Sequence, residues 1–504
     1  MQHPLALQIG AAALLAWLGG CESGAVAASS RAGGATASGR FEPPPERTSE
    51  VMPGGATSIS QPAGAPPAFD LPAANLRPDQ RTAFYAGRAL ARQPWVKAPS
   101  STDARDGLGP LYNARSCLAC HVRGGRGRVS TADGQLSTAT LVRLSLPGRD
   151  PSVGVLPEPT YGTQLQLRSI ALREQLPGSG GRSGVRLSSI PAEAGVAVRW
   201  LEQAYRYPDG SEVVLRRPEI ALEGLGYGPL HAETRIGLRH TPPLHGLGLL
   251  ALIDQEDIAR LADPDDRDGD GVSGRQNRVW DPIDGRARPG RFGLKANQAS
   301  LRVQVAAALR TDVGITSSVF PEQPCTAAQP RCQRAPGGAL AGEAEISDDL
   351  LALLVGFVRS IGVPRRRTAD HPLVRRGRGL FYRTGCASCH APSFVTGSDP
   401  SAPHLSGQEI WPYTDLLLHD MGPGLSDGRR DYLAAGSEWR TPPLWGVGLA
   451  RAVRKDVGLL HDGRARTVEE AVLWHDGEAR ASRERYAGLA ARDRRALLSF
   501  VRSL

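Results

Sequence analysis

An apolar run, Ala11-Ala12-Ala13-Leu14-Leu15-Ala16-Trp17-Leu18, ends at Gly19-Gly20-Cys21; Gly, Ala, Ser, Pro and Thr then dominate, with little apolar patterning, to about residue 73. The run is shorter than a bilayer-spanning helix needs, and small residues precede Cys21 as at a signal cleavage site. The polar stretch cannot bury enough surface to offset the entropy of ordering it, so residues 22–74 are expected to form a flexible tether. Helical spacing begins after Pro78-Asp79, with Phe84, Gly87, Leu90 and Ala91 on one face. Strand-like segments are predicted at 138–146 and 164–170, and a hairpin at 196–215 turning on Pro208-Asp209-Gly210.

The pattern then repeats. Thr241-Pro242-Pro243-Leu244-His245-Gly246-Leu247-Gly248-Leu249 is echoed by Thr441-Pro442-Pro443-Leu444-Trp445-Gly446-Val447-Gly448-Leu449. Phe357-Val358-Arg359-Ser360-Ile361 is echoed by Phe500-Val501-Arg502-Ser503-Leu504, each closing an amphipathic helix. Each half carries one further pentapeptide, Cys117-Leu118-Ala119-Cys120-His121 and Cys386-Ala387-Ser388-Cys389-His390. From pentapeptide to TPPL the spacing is 124 residues in the first half and 55 in the second; from TPPL to the closing Phe it is 116 and 59. A duplicated unit with two insertions in its first copy follows.

CxxCH is the attachment signature of c-type haem: two thiols one turn apart form thioethers, and the next histidine ligates iron. Zinc held by two CxxC pairs is the alternative, but it leaves the histidines unexplained and requires the distant pairs to converge. The expected fold is mainly α: two cytochrome c-like domains from an internal duplication, at 75–366 and 367–504, with a small β-containing insertion in the first. Two covalent haems are the expected cofactors.

Composition changes this picture little. The net charge of +9 is carried almost wholly by arginine, since Lys97, Lys295 and Lys455 are the only lysines. No basic stripe with interleaved aromatics appears, so no nucleic-acid partner is expected. Leu18-Gly19-Gly20-Cys21 looks like a bacterial lipobox, which would lipidate Cys21 and anchor the chain to a membrane; an ordinary cleaved signal at 1–21 is the alternative. The expected location is the periplasm of a Gram-negative bacterium. Cys325 and Cys332 share one loop, and an oxidising compartment would pair them as a disulfide. Asp266, Asp268 and Asp270 alternate before Gly271 like the first half of a calcium loop, although Asn277 stands where a bidentate Glu is expected. The alternative is a solvated acidic turn.

Four stretches carry a family resemblance: 106–121, Phe292-Gly293-Leu294-Lys295-Ala296-Asn297, 413–422, and Leu460-His461-Asp462-Gly463-Arg464-Ala465-Arg466-Thr467 onward to Gly477. Through them the chain resembles bacterial di-haem oxidoreductases named as peroxidases, also labelled thiol oxidoreductases, and more distantly di-haem cytochrome c peroxidases and MauG-like enzymes. Of only three methionines, Met421 alone lies in the folded body, 31 residues beyond His390, and the resemblance supports it as that haem's sixth ligand. A thioether opposite histidine raises the potential and closes the iron. Aligned on Thr163 and the leucines, Ile170 falls where Met421 stands, so the first haem is either open or filled by His245, His240 or His231. Gln164, Gln166, Glu202 and Arg168 are candidate distal groups, and Trp95 a candidate electron path.

Electrons would enter at the second haem (His390/Met421), and peroxide or another small oxidant would be reduced at the first (His121). A small redox carrier protein is the expected electron partner. The competing readings are a pure electron-transfer cytochrome, MauG-like oxidation of a protein side chain or thiol, and an anchored component of a metal-uptake system.

Overall fold

The protein was examined as a computed structural model, which describes residues 42–61, 66–102, 105–130, 134–175, 185–339 and 343–504. The signal-like run, Cys21 and residues 22–41 and 62–65 of the expected tether lie outside the described residues.

Two helix pairs carry the repeat. Helix α1 (Pro78–Arg92) starts on a proline, and the Gln80 side chain accepts from the Arg77 N–H at 3.0 Å. Its buried face is Phe84, Gly87, Leu90 and Ala91, and it packs on α2 (Asp348–Arg359). A Cβ on Gly87 would strike the Leu353 carbonyl oxygen and lie 2.8 Å from the Phe357 Cβ. Helix α3 (Pro372–Arg383) meets α4 (Ala491–Ser503) the same way: a Cβ on Gly377 would strike the Ala496 carbonyl oxygen and lie 2.9 Å from the Phe500 Cβ. Each pair shelters its own core, one around Phe84, Trp95, Leu309 and Phe357, the other around Phe381, Tyr413, Trp474 and Phe500.

The two TPPL segments interlock between these cores. His245 Nε2 bonds the Trp445 carbonyl at 2.9 Å. Gly246 (φ 75°) receives the Trp445 ring, and Gly446 (φ 73°) receives the His245 ring, whose Nε2 would lie 2.7 Å from an added Cβ. A third core of Leu249, Ile253, Val363, Ile410 and Trp445 mixes residues of both halves.

The expected mainly α pair of cytochrome c-like domains is not what the chain forms. Helix accounts for 30% and strand for 19%, and the strands make seven separate two-stranded ladders among the described residues. The chain's 59 glycines and 40 prolines break helices into short pieces, and the first-half insertions supply strand. Strand β1 (Thr140–Ser145) pairs antiparallel with β4 (Arg235–His240). Strands β2 (Gly195–Arg206) and β3 (Glu212–Glu223) form the predicted hairpin, eight residues longer at its far end because every residue of β2 finds a partner. Its tip crosses to the other half, where Tyr207 Oη donates to Glu469 at 2.9 Å and Arg494 to Asp209 at 2.6 Å. In the second half β5 (Leu418–Asp420) pairs with β6 (Glu438–Arg440).

The expected tether is also corrected, because the chain is packed from Thr48 onward. Glu50 is 1% exposed and accepts from Arg366 at 2.7 Å, from Arg378 at 3.0 Å and from the Tyr413 hydroxyl. Phe69 is equally buried. Composition missed this because scattered anchors hold the segment, the Glu50 carboxylate between two guanidiniums and single apolar residues such as Ile59 and Phe69, rather than a periodic apolar face. No helix among the described residues is long and apolar enough to cross a membrane.

Replacing Gly377 with Ala forces a methyl group into the α3–α4 contact and should destabilise the protein by about 1–3 kcal/mol. Gly356→Ala in α2, where an added Cβ meets nothing within 4 Å, should be neutral or stabilising by up to about 1 kcal/mol. Chemical unfolding of both variants checks the pair.

Candidate functional site

The first pentapeptide forms one helical turn, Cys117–Cys120, after which the chain leaves the helix at His121. His121 Nδ1 donates to the Pro242 carbonyl at 2.8 Å, so the first TPPL segment fixes the ring and leaves the Nε2 lone pair unspent. Cys117, Cys120 and His121 line a cavity of about 410 Å³. Burial, with the Asp312 carboxylate adding to it, pushes the Cys117 thiol up to about 11 and Cys120 to about 12. Burial lowers His121 to about 4.

The second pentapeptide repeats the arrangement. Cys386–Ser388 is a 3-10 turn, and His390 Nδ1 donates to the Tyr413 carbonyl at 2.8 Å. The Tyr413 hydroxyl in turn reaches Glu50. Burial pushes Cys386 up to about 11 and lowers His390 to about 4. The two CxxC pairs sit against different cores and do not converge on one tetrahedral site.

These residues fit haem. Neutral thiols and a neutral imidazole with its Nδ1 tied are what thioether attachment and iron ligation require. The first cavity also contains buried cations that an anionic porphyrin would neutralise. Arg126 Nη1 is sealed without a hydrogen-bond partner, and burial lowers this guanidinium to about 10. Arg143 faces the same cavity and is lowered by burial against the fields of Asp312 and Asp431. Haem at either site would be held by the two thiols and the histidine, with Arg126 and Arg143 available to propionates at the first.

Of the histidines named for the first iron's sixth position, His245 and His240 line the cavity, and each keeps one ring nitrogen buried without a hydrogen-bond partner. His245 spends Nε2 on Trp445 and its Nδ1 is sealed; His240 bonds Thr140 through Nδ1 at 3.2 Å and its Nε2 is sealed. His231 lies on a turn, where its Nδ1 accepts from the Glu233 N–H at 3.2 Å. Ile170 is buried in the first core.

The proposed distal groups divide. Gln164 and Gln166 are buried and donate to the Thr311 carbonyl at 2.8 and 2.7 Å, and Gln164 also donates to Asp312 at 2.9 Å. Arg168 donates to Thr138 Oγ1 at 3.2 Å, and Glu202 is exposed and pairs with Arg466 at 3.5 Å. None of the four is among the residues lining the cavity, and Gln164 reaches it only through Asp312. Trp95 packs within the first core and exchanges hydrogen bonds with Arg115.

Two residues escaped the sequence pattern. Asp312 lies on a π-helical turn, Leu309–Val313, and lines the cavity. Burial raises its carboxyl above the usual range. Such bulges cluster at functional sites, but the 3.6-residue period does not reveal them. His475 ends the helix Val468–Trp474, and its Nδ1 donates to the Ala471 carbonyl at 2.7 Å. Met421 is half-buried against the core that Cys386 also touches. His419 has one ring nitrogen 2.8 Å from Asp415 and the other 2.7 Å from Glu478, so both donate to carboxylates.

Elsewhere, Cys325 and Cys332 form a disulfide with Cα atoms 5.7 Å apart. The carboxylates of Asp266, Asp268 and Asp270 gather within 4.8 Å of one another. Asn277, at the expected twelfth position, is instead buried and donates to the Lys295 and Asp431 carbonyls at 2.8 and 3.0 Å.

Replacing Glu50 with Ala leaves Arg366 and Arg378 buried without their carboxylate. It should cost about 3–5 kcal/mol in urea unfolding, far more than an exposed Glu→Ala change.

No curated protein sequence matches the chain. Among solved structures, hydrazine synthase of Kuenenia stuttgartiensis aligns over 88% of this chain and 98% of its own at 14% identity. The TM-score of 0.28 is too low to carry a conclusion about fold or chemistry. The family model described as "Di-haem oxidoreductase, putative peroxidase" matches residues 48–504, nearly the whole described body, and the chain therefore belongs to that family of di-haem oxidoreductases.

Proposed function

We propose that the chain is an exported, peroxidase-like enzyme with two covalent c-type haems, the first reducing a small oxidant and the second handling electrons. The observation that carries this is the asymmetry between the sites. His121 faces a charged cavity in which His245 and His240 each have one ring nitrogen bonded to protein and the other closed off from the open space. His390 faces a region shared with Met421 and His475.

Haem at the first site would supply reduction of peroxide, which takes two electrons and two protons and yields two waters. The protein's share is positioning and proton supply. Pro242 orients His121, and the TPPL interlock holds that carbonyl. Asp312, raised by burial and held by Gln164, is the cavity group placed to hold a proton and hand it to a bound oxidant. The same open site supports the MauG-like alternative, in which the oxidising equivalents reach a protein side chain or thiol.

A small redox carrier protein would deliver electrons to the second haem. The lipobox-like Cys21 would anchor the protein to a membrane facing the periplasm of a Gram-negative bacterium. The gathered carboxylates of Asp266, Asp268 and Asp270 would bind one calcium ion.

In the purified holoprotein, peroxide should perturb a high-spin signal from the first haem and leave the second low-spin. Two permanently six-coordinate haems, silent toward peroxide in every redox state, would exclude the peroxidase reading. Asp312→Asn should slow peroxide turnover by about 10²-fold or more, the usual share of one proton-transfer group; stopped-flow spectroscopy reads it. Metal analysis after mild chelation should find one calcium per chain lost, and no bound ion at all removes that claim.

A further inference from the structure

Ten of the eleven histidines fall within the described residues. Three of them share one bonding pattern: Nδ1 on a main-chain carbonyl, and Nε2 neither bonded to protein nor sealed. They are His121 on Pro242, His390 on Tyr413, and His475 on Ala471, at 2.8, 2.8 and 2.7 Å. The first two follow the CxxC pairs and are the family's expected iron ligands. The third belongs to no CxxCH motif.

The tie matters chemically. A carbonyl accepting from Nδ1–H fixes the tautomer, leaves the Nε2 lone pair outward, and makes that nitrogen a better donor. The other described histidines spend their nitrogens differently. His245, His240 and His419 are engaged or sealed as described above. His461 stacks on Trp439 at 3.7 Å with Nε2 3.4 Å from Asp462. His404 meets Ser360 through Nε2 at 3.4 Å, and its Nδ1 is sealed. In His231 and His371, Nδ1 accepts from a main-chain N–H at 3.2 Å, so no carbonyl fixes the ring.

His475 is also in the right place. It lies within electrostatic range of His390. Trp474 and Leu473, just before it, are in the core that Cys386 packs against. The turn after it presses on the Met421 segment: a Cβ on Gly422 would lie 2.9 Å from both Asp476 Cβ and Gly477 N. Met421 is therefore a neighbour of the same region. Its side chain packs against that apolar core, as a gap-filling methionine does.

Resting on the di-haem reading above, we propose that His475 is the sixth ligand of the second haem, opposite His390, and that Met421 packs beside that haem without ligating it. The second centre is then a bis-histidine one, with a lower potential than histidine–methionine ligation gives.

The experiment uses the holoprotein, with two haems per chain first established by haemochrome assay. A failure at that step sinks the di-haem reading, not the ligand assignment within it. Wild-type protein should show a low-spin second haem without the near-infrared thioether-to-iron charge-transfer band. Met421→Leu should leave its potential and EPR signal in place. His475→Met should raise the potential, and His475→Ala should convert the second haem to high spin or abolish its low-spin signal. A thioether band in wild type that Met421→Leu removes overturns the proposal. So does a low-spin second haem that survives His475→Ala unchanged. Should the His475 variants fail to fold, the wild-type band and the Met421→Leu spectra decide alone.

Discussion

The structure depends on the contact between the two TPPL segments. Each brings a left-handed glycine to the other's aromatic ring, and His245 closes the contact on the Trp445 carbonyl. A side chain at Gly246 or Gly446 would be both strained and in collision, so these positions set how closely the halves approach. The first segment also supplies the Pro242 carbonyl that orients His121. One joint thus fixes the relative position of the halves and the bearing of a proximal imidazole. Two redox centres need that rigidity, because electron transfer between them requires a constant separation.

Charge is arranged around this joint in two ways. Glu50 neutralises Arg366 and Arg378 in the second core and bonds the Tyr413 hydroxyl, while Tyr413's own carbonyl holds His390. A segment that reads as spacer therefore reaches the second site through one tyrosine. At the first cavity the balance is left positive, with Arg126 lacking any hydrogen-bond partner for Nη1. Such a cation is costly to bury alone and becomes favourable once an anionic group enters. The first site is in this sense built around something the polypeptide does not supply.

The sites diverge from a shared plan. Both use a CxxC turn, a histidine tied to a carbonyl, and a helix pair with a glycine at its crossing. In the second half a short connection brings the helix Val468–Trp474 and His475 close to His390. In the first half the insertions place the β1–β4 ladder, the π turn and charged side chains around the cavity. Duplication followed by insertion is enough to give the two motifs different surroundings.

The sequence by itself located the two candidate attachment motifs and the repeat. CxxCH is local, and its meaning needs no distant partner; the TPPL and FVRS echoes locate both units; period and turn residues placed α1 and the long hairpin. Helix content, the end of the tether and the surroundings of each candidate ligand were decided only by tertiary structure. Glu50 looks like spacer until Arg366 and Arg378 close on it from more than 300 residues away. His475 looks like any helix-end histidine until folding sets it near His390, and Asp312 becomes a cavity group only where a π turn rotates it inward. Local pattern encodes what a residue can bond within its own turn. What it faces across the chain is set by packing, which no single stretch contains.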